Sequence, residues 1–299
     1  MVVRIFVLFF MMEVILPEDQ LIRKFVRYYF VYENEKSEEE FVSIPFVGGG
    51  LTVFENASFK QSTENIYVAQ VEEGSKVIAH LMREESVIVQ IKGNVRAIMI
   101  MFQPLGMNHF INGSLRNMAS GFNRSIVSFP SDHENYNEMQ GRLAAAADFF
   151  EKVSSIEQFL LKCYRPFSIP VLEDVVDMLG SNEEIYTISR VCKKAGVSKR
   201  TLNRLFQEHL CISPVQFKCI CHFRNSIATN FYNEFATMNK ISIESNYTDR
   251  AYFTKVYKKY AGLTPLKLIQ LVFKANSDSH LFNAIKKKMA QKYNNLSRL

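Results

Sequence analysis

The residues of this chain best suited to binding a partner are hydrogen-bond donors that recur at helical spacing. Five of them occur within nine positions, namely Lys199, Arg200, Asn203, Arg204 and Gln207. Lysine, arginine, asparagine and glutamine offer N–H groups that match DNA base edges and phosphate oxygens. A plain helical hairpin with solvated charges would carry the same residues, so this stretch alone leaves both interpretations open.

The sequence around these donors predicts two short helices joined by a tight turn. Gly196 stands where such a turn requires left-handed backbone, and Ser198 is placed to cap the second helix. The first helix has one apolar face, made of Ile188, Val191, Cys192 and Ala195, and Leu202, Leu205 and Phe206 form that of the second. The pattern is that of a helix-turn-helix, with the donors on the solvent side of the second helix.

A second stretch, Ile241 to Tyr260, repeats this organisation. Ile241 and Ser245 are assigned to a first helix, Asn246 to the turn and Asp249 to the cap. Phe253, Val256 and Tyr257 form the predicted buried face, and the outward positions are Arg250, Ala251, Thr254, Lys255, Lys258 and Lys259. The repetition favours a pair of DNA-reading units over a plain hairpin.

A long helix is predicted between the two units. It begins at Ser213-Pro214 and carries Phe217, Ile220, Phe223 and Ile227 on one side. A connector of ~18 residues is ~27 Å long, of the order of one DNA turn, ~34 Å. Two recognition helices held by it could therefore reach successive major grooves.

Three motifs of this region resemble the AraC/XylS family of bacterial transcription regulators. They are A-G-V-S-x-R-T-L-x-R-L-F at Ala195–Phe206, I-S-P-V-Q-F at Ile212–Phe217 and the string Asp249–Pro265. The resemblance implies that both helix-turn-helix units bind DNA and that the connecting helix holds them. By position it implies that Lys199, Arg200 and Asn203 read bases and that Arg204 lies nearer the backbone. The implied counterparts are Arg250, Ala251 and Thr254, with Lys255 on a phosphate; Gln207 and Lys258 complete the predicted DNA-binding set.

The chain departs from the family pattern at several positions. The family usually has alanine at Cys192, Ser226 and Ser242, glycine at Cys211 and Asn246, phenylalanine at Tyr247 and arginine at His222. Because three of these lie in the second unit, we expect that unit to anchor the protein more than to discriminate between bases.

Charge divides the chain into two parts. Residues 181–299 hold 20 Lys and Arg against 7 Asp and Glu, a net of +13, whereas residues 1–180 have a net of −7. A basic half suits a polyanionic partner, and the acidic half a different one.

The N-terminal half predicts a small β-rich domain in an α+β chain. Strands are predicted at Val42–Phe46, Leu51–Phe54, Ile66–Val71, Val77–Leu81, Val87–Ile91 and Val95–Phe102, forming a small sheet, sandwich or barrel. Gln20–Phe30 is assigned to a short helix and Glu134–Lys162 to a helical region. The segment 97–108 resembles an F-x-P-x-G segment found in one group of these regulators, often from Bacteroidetes, whose N-terminal module senses a signal or dimerises.

Two prolines, Pro166 and Pro170, indicate a linker. The predicted division is a β-rich domain at 1–164, the linker at 165–170, the DNA-binding domain at 171–271 and a basic tail at 272–299. The tail could form an amphipathic helix that adds phosphate contacts, or remain a solvated extension.

No residue pattern points to catalysis or to a cofactor. Cys219 and Cys221 would face different sides of a helix, so a metal site with His222 is disfavoured and free buried thiols in a reducing cytoplasm are expected. His80, His109 and His133 are scattered and favour structural roles. Phe102, Met107, Phe110 and Phe122 favour core packing over a pocket. The apolar start, Met1–Leu16, is too short to span a bilayer. It is interpreted as a first strand or as residues upstream of a true start at Met11 or Met12.

The sequence therefore predicts a DNA-binding transcription regulator, an activator by family analogy, without enzymatic activity. Expected partners are double-stranded DNA and RNA polymerase, with no membrane association; a homodimer and a small-molecule effector stay open. The alternative is an enzyme or an interaction protein that carries such a domain.

Overall fold

A computed structural model describes residues 14–33, 38–63, 65–74, 76–119, 126–128, 135–181, 186–231 and 249–268. The expected strand before Val14, the first helix of the second unit and the basic tail lie outside these ranges. The order of elements is a β-rich N-terminal part followed by helices, which confirms the predicted α+β class.

The described residues of the N-terminal part contain ten strands in two sheets. They are β1 (Val14–Ile15), β2 (Val26–Glu33), β3 (Glu38–Ser43), β4 (Gly50–Phe54), β5 (Ala57–Thr63), β6 (Ile66–Val71), β7 (Lys76–His80), β8 (Val87–Lys92), β9 (Arg96–Phe102) and β10 (Ile126–Ser128). One sheet has the order β1-β2-β9-β4-β7-β10 and the other β3-β8-β6-β5. Neighbours pair antiparallel except β6 and β8, which are parallel. All six predicted strands overlap observed ones, but Val42–Phe46 is displaced, because β3 ends at Ser43.

The helix predicted at Gln20–Phe30 is wrong over most of its length. Only Ile22–Phe25, α1, is helical, and the chain then enters β2. The run from Val26 to Tyr32 is rich in β-branched and aromatic residues, which favour strands. It pairs with β9, from Val26 opposite Phe102 to Glu33 opposite Arg96. Because that partner is distant in sequence, the local periodicity of this segment cannot indicate the pairing, and it predicts a helix instead.

Aromatic rings fill the space between the sheets. Phe59 stacks on Phe54 and on Tyr67, with ring centroids 5.5 and 5.4 Å apart. Residues from both sheets join one buried cluster with these rings. The two sheets therefore form the sandwich that was one of the three predicted alternatives.

Helices cover the outer face of the six-stranded sheet. After a 3-10 turn at Gly106–His109 and the short α2 (Leu115–Met118) come α3 (Tyr136–Ala145) and α4 (Phe149–Cys163). The region predicted as helical is thus two helices, because Asp148 caps α4 by accepting a hydrogen bond from the Glu151 N–H. Phe102, Met107 and Phe110 belong to the core beneath these helices, which confirms their packing role, whereas Phe122 and His133 lie outside the described residues.

In the C-terminal part, the described residues form helices joined by turns and short irregular segments. It contains α5 (Pro170–Gly180), α6 (Ile188–Ala195), α7 (Lys199–His209), α8 (Pro214–Phe231) and α9 (Arg250–Ala261). An extended segment, 164–169, separates α4 from α5. No helix in the part of the chain that the structure covers is both long and apolar enough to cross a membrane.

Candidate nucleic-acid interface

Helices α6 and α7 form the first predicted unit. Thr187 caps α6, and Gly196 follows that helix with φ 67° and ψ 27°, the left-handed conformation predicted for the turn. The Ser198 side chain then caps α7, its Oγ accepting from the Thr201 N–H at 3.0 Å. Leu202 and Phe206 are fully buried beneath α7. The helix-turn-helix expected here is confirmed.

The predicted donors of this unit share the solvent side of α7. Lys199, Arg200, Asn203 and Arg204 are exposed and Gln207 is partly exposed. The Asn203 amide donates to the Lys199 carbonyl at 3.1 Å, and the Arg204 guanidinium pairs with Glu208 at 3.1 Å. Both contacts are local and exposed, so each side chain can exchange its partner for one on a ligand.

Helix α8 supports the next helix of the candidate interface. It starts at Pro214 as predicted and is 18 residues long, with Phe217, Ile220 and Phe223 fully buried. The Phe223 ring lies 5.0 Å from that of Tyr257 on α9 and 5.1 Å from that of Tyr260. Aromatic packing on the connector thus contributes to the position of α9.

Helix α9 begins with the predicted aspartate cap, since the Asp249 carboxylate accepts from the Ala251 N–H at 2.7 Å. Its buried face contains Phe253, Val256 and Tyr257, as predicted. The five predicted site residues of α9 are Arg250, Ala251, Lys255 and Lys258, all exposed, and Thr254, which is partly exposed. The Thr254 hydroxyl donates to the Arg250 carbonyl at 3.0 Å, so within the helix it is already engaged.

A second group of cations, missed by the sequence reasoning, surrounds Tyr186. The Arg190 guanidinium and the Lys194 ammonium each lie 5.3 Å from the centre of its ring. The Lys218 ammonium donates to the Tyr186 carbonyl at 2.7 Å. The i,i+4 spacing of Arg190 and Lys194 on α6 was the available signal. Arg190 and Lys194 belong to α6 of the first unit, so this group adds positive charge to that unit.

The structure shows what surrounds two of the residues that depart from the family pattern, Cys211 and Ser226. Cys211, where glycine is usual, follows α7 with φ 62°, a conformation that favours glycine. Ser226, where alanine is usual, is fully buried, and its hydroxyl lies 2.8 Å from that of Tyr257. This polar contact links α8 to α9. Ser242, Asn246 and Tyr247 lie outside the described residues.

Within the described ranges, the cysteines and histidines form no cluster suited to a ligand. Cys163, Cys192 and Cys221 are buried free thiols as predicted, whereas Cys211 and Cys219 are only partly buried. Among the described residues, no group of three or more histidine, cysteine or acidic side chains could hold a metal ion. The His109 ring stacks on Tyr164 at 5.8 Å, and its Nδ1 accepts from the Phe167 N–H at 3.2 Å. This histidine is structural, as its isolated position predicted.

Comparison with known proteins places the helical region in a family. Residues 191–270 match the family model described as "Helix-turn-helix domain". No curated protein matches the chain. The chain is similar to the crystal structure of ToxT from Vibrio cholerae O395, with 12% identity, 82% of this chain and 97% of that chain covered and a TM-score of 0.45. It is also similar to unsaturated fatty acid bound wild-type ToxT from Vibrio cholerae strain SCE256, with 12% identity, 81% and 94% covered and a TM-score of 0.46.

The family assignment rests on the domain match and on the motifs within it, not on these distant structural likenesses. The matched residues include α7, α8 and α9, with the Gly196 turn and the Asp249 cap. The chain therefore carries an AraC-type helix-turn-helix domain over residues 191–270.

Proposed function

We propose that the chain regulates transcription by binding specific DNA sequences with α7 and α9, which enter successive major grooves. One observation carries this proposal. Helix α7 buries its apolar face, follows a glycine turn and exposes Lys199, Arg200 and Asn203 near its start. The N-terminal residues of a recognition helix are those that contact base edges.

The two helices have different roles in this proposal. Arg200 and Asn203 provide side chains suited to guanine and adenine, whereas Arg204 serves the DNA backbone. On α9 the exposed set holds Arg250, Lys255 and Lys258, but Ala251 offers no hydrogen bond. Lysines such as these contact phosphates and release counterions without reading sequence, whereas Arg250 can contact a guanine edge. Helix α9 therefore anchors the protein more than it discriminates between bases, while α7 does most of the reading.

The remaining parts of the chain have roles only by analogy with the family. The β-rich domain at 1–164 would sense a signal or dimerise, the linker at 165–170 would join it to the DNA-binding domain at 171–271, and the assembly would activate transcription by contacting RNA polymerase in the cytoplasm. Run-off transcription with and without the protein, on a template carrying its site, distinguishes activation from repression. This role requires no catalytic step.

Alanine variants of α7 test the base-reading role. A duplex enriched by the wild-type protein from a randomised pool serves as the probe. Arg200→Ala and Asn203→Ala should each weaken binding to this duplex by ~1–3 kcal/mol and relax base preference at one position. Binding is measured by fluorescence anisotropy, and base preference by repeating the enrichment with each variant.

Lys60→Ala is the matched control for Arg200→Ala, because each removes one positive charge. Lys60 lies on β5 in the N-terminal domain, and its side chain is 75% exposed. It should bind the enriched duplex as the wild type does. An equal loss for Arg200→Ala on the enriched and on unrelated duplexes would contradict base reading.

A further inference from the structure

The N-terminal domain contacts the C-terminal ends of both proposed recognition helices. Leu105 and Met82 from the N-terminal part share one buried cluster with Phe206 of α7 and Tyr257 of α9. The two parts of the chain are therefore packed together, and polar contacts at the edge of this apolar interface can fix their geometry.

Asn108 holds the end of α7. Its amide donates to the backbone carbonyl of His209, the last residue of that helix, at 3.0 Å. Asn108 is only 4% exposed, so this bond is shielded from water. The Phe167 ring lies 5.1 Å from the His209 ring at the same place. A carbonyl that a helix end leaves unpaired is thereby satisfied from the N-terminal domain.

Glu84 holds the end of α9. It lies in the loop between β7 and β8, and its Oε1 accepts from the Lys259 ammonium at 2.5 Å. Its Oε2 accepts from the Gln216 side chain at 2.8 Å, in the first turn of α8. Partial burial alone would raise the pKa of Glu84, but the hydrogen bonds from Lys259 and Gln216 lower it. One carboxylate thus joins the start of the connector, beside the first unit, to the second recognition helix.

These contacts leave the proposed reading surface open. Arg250 and Ala251 are exposed at the opposite end of α9 from Lys259, and Lys255 is exposed in the middle of the helix. Lys199 and Arg200 are likewise exposed at the opposite end of α7 from His209. The N-terminal domain therefore holds the helices without covering their base-reading residues, which favours a positioning role over an autoinhibitory one.

We infer that Glu84 is a positioning residue for DNA recognition: it fixes α9 relative to α7, so that the chain selects the spacing between two half-sites. This inference rests on the proposed function. The contact from Glu84 to Lys259 and Gln216 limits the movement of α9. The hydrogen bond from Asn108 holds the end of α7 against the same N-terminal domain.

Glu84→Ala tests this role in the full chain, with Glu85→Ala as its control. Glu85 lies in the same loop, has the same charge and has an exposed side chain. The probes are the duplex enriched by the wild type, versions with the separation of the two halves lengthened or shortened by a few base pairs, and a single half-site. Anisotropy gives the affinity for each.

Glu84→Ala should lose about tenfold in affinity for the enriched duplex. It should bind the altered spacings nearly as well as the enriched one and keep wild-type affinity for the single half-site. Glu85→Ala should keep the wild-type preference for spacing. A wild-type spacing profile in Glu84→Ala, or tighter binding to the enriched duplex, would overturn the positioning role.

Hydrogen exchange separates this inference from the proposed function. Amides of α9 should exchange faster in DNA-free Glu84→Ala than in the wild type and in Glu85→Ala. Equal exchange in all three proteins overturns the contact, whatever the DNA measurements show. A different outcome is that the wild type fails to discriminate between DNA sequences while α9 exchanges faster in Glu84→Ala. That outcome would reject sequence-specific DNA binding but would support the contact between Glu84 and α9.

Discussion

At the scale of single residues, backbone conformation separates the two turns that flank α7. Gly196 precedes the helix with φ 67°, and Cys211 follows it with φ 62°. The glycine was predicted from its place between two apolar patterns. That a cysteine holds the same conformation could not be predicted from its type, because residues with a Cβ rarely adopt it. Only the family pattern, in which glycine is usual at the position of Cys211, indicates a left-handed conformation there.

Reciprocal substitutions at these positions should have opposite effects on stability. Gly196→Ala should lower the free energy of unfolding by ~1 kcal/mol through conformation alone, since a Cβ there would contact nothing within 4 Å. Cys211→Gly should raise it, by less than ~1 kcal/mol, because the partly buried thiol gives up some packing. Urea unfolding measures both; a stabilised Gly196→Ala or a destabilised Cys211→Gly would disprove the account of that turn.

At the scale of elements, local signals identified the caps but not the pairings. Ser198 and Asp249 were assigned as caps from their position before an apolar pattern, and both accept the expected backbone hydrogen bond. Local periodicity predicts a helix over the start of β2. It cannot indicate the pairing with β9 that makes this segment a strand, because β9 is far away in sequence. Glu84 and Asn108 were missed for the same reason: their partners are Lys259 and His209, and no local pattern indicates such contacts.

The burial of a histidine in the six-stranded sheet makes stability depend on pH. The His80 ring on β7 lies 2.7 Å from the Thr52 hydroxyl on β4. Burial, with a smaller contribution from the Arg83 cation, lowers the pKa of His80 from 6.5 to about 3. The unfolded chain therefore binds a proton between these pH values that the folded chain does not, and stability falls as the pH decreases through this window.

Comparison with His80→Gln isolates this effect, because the other histidines are unchanged in the variant. Between pH 7 and pH 5 the wild type should lose at least ~1 kcal/mol more stability than His80→Gln. The loss is smaller than full burial would give, because His80 is only partly buried. Urea unfolding at both pH values provides the measurement. Equal losses in the two proteins would show that His80 can bind a proton without unfolding the sheet.

At the scale of the whole molecule, the charge of the chain follows its division into a sheet part and a helical part. The net charge of +13 over residues 181–299 coincides with the helical region, and the acidic half contains the sheets. Composition predicted this division, as the motifs predicted the helix-turn-helix. It could not predict that the N-terminal part packs against both proposed recognition helices, because that depends on the final assembly of the domains.

The central claim is that the chain recognises DNA sequence and does not merely bind a polyanion. Its most direct test compares the affinity of the full chain for the wild-type-enriched duplex and for a scrambled duplex of equal length, over a series of salt concentrations. Binding to both should weaken as salt rises, with the enriched duplex bound about a thousandfold more tightly or better near physiological salt. Equal affinity for the two duplexes at every salt concentration would contradict the claim.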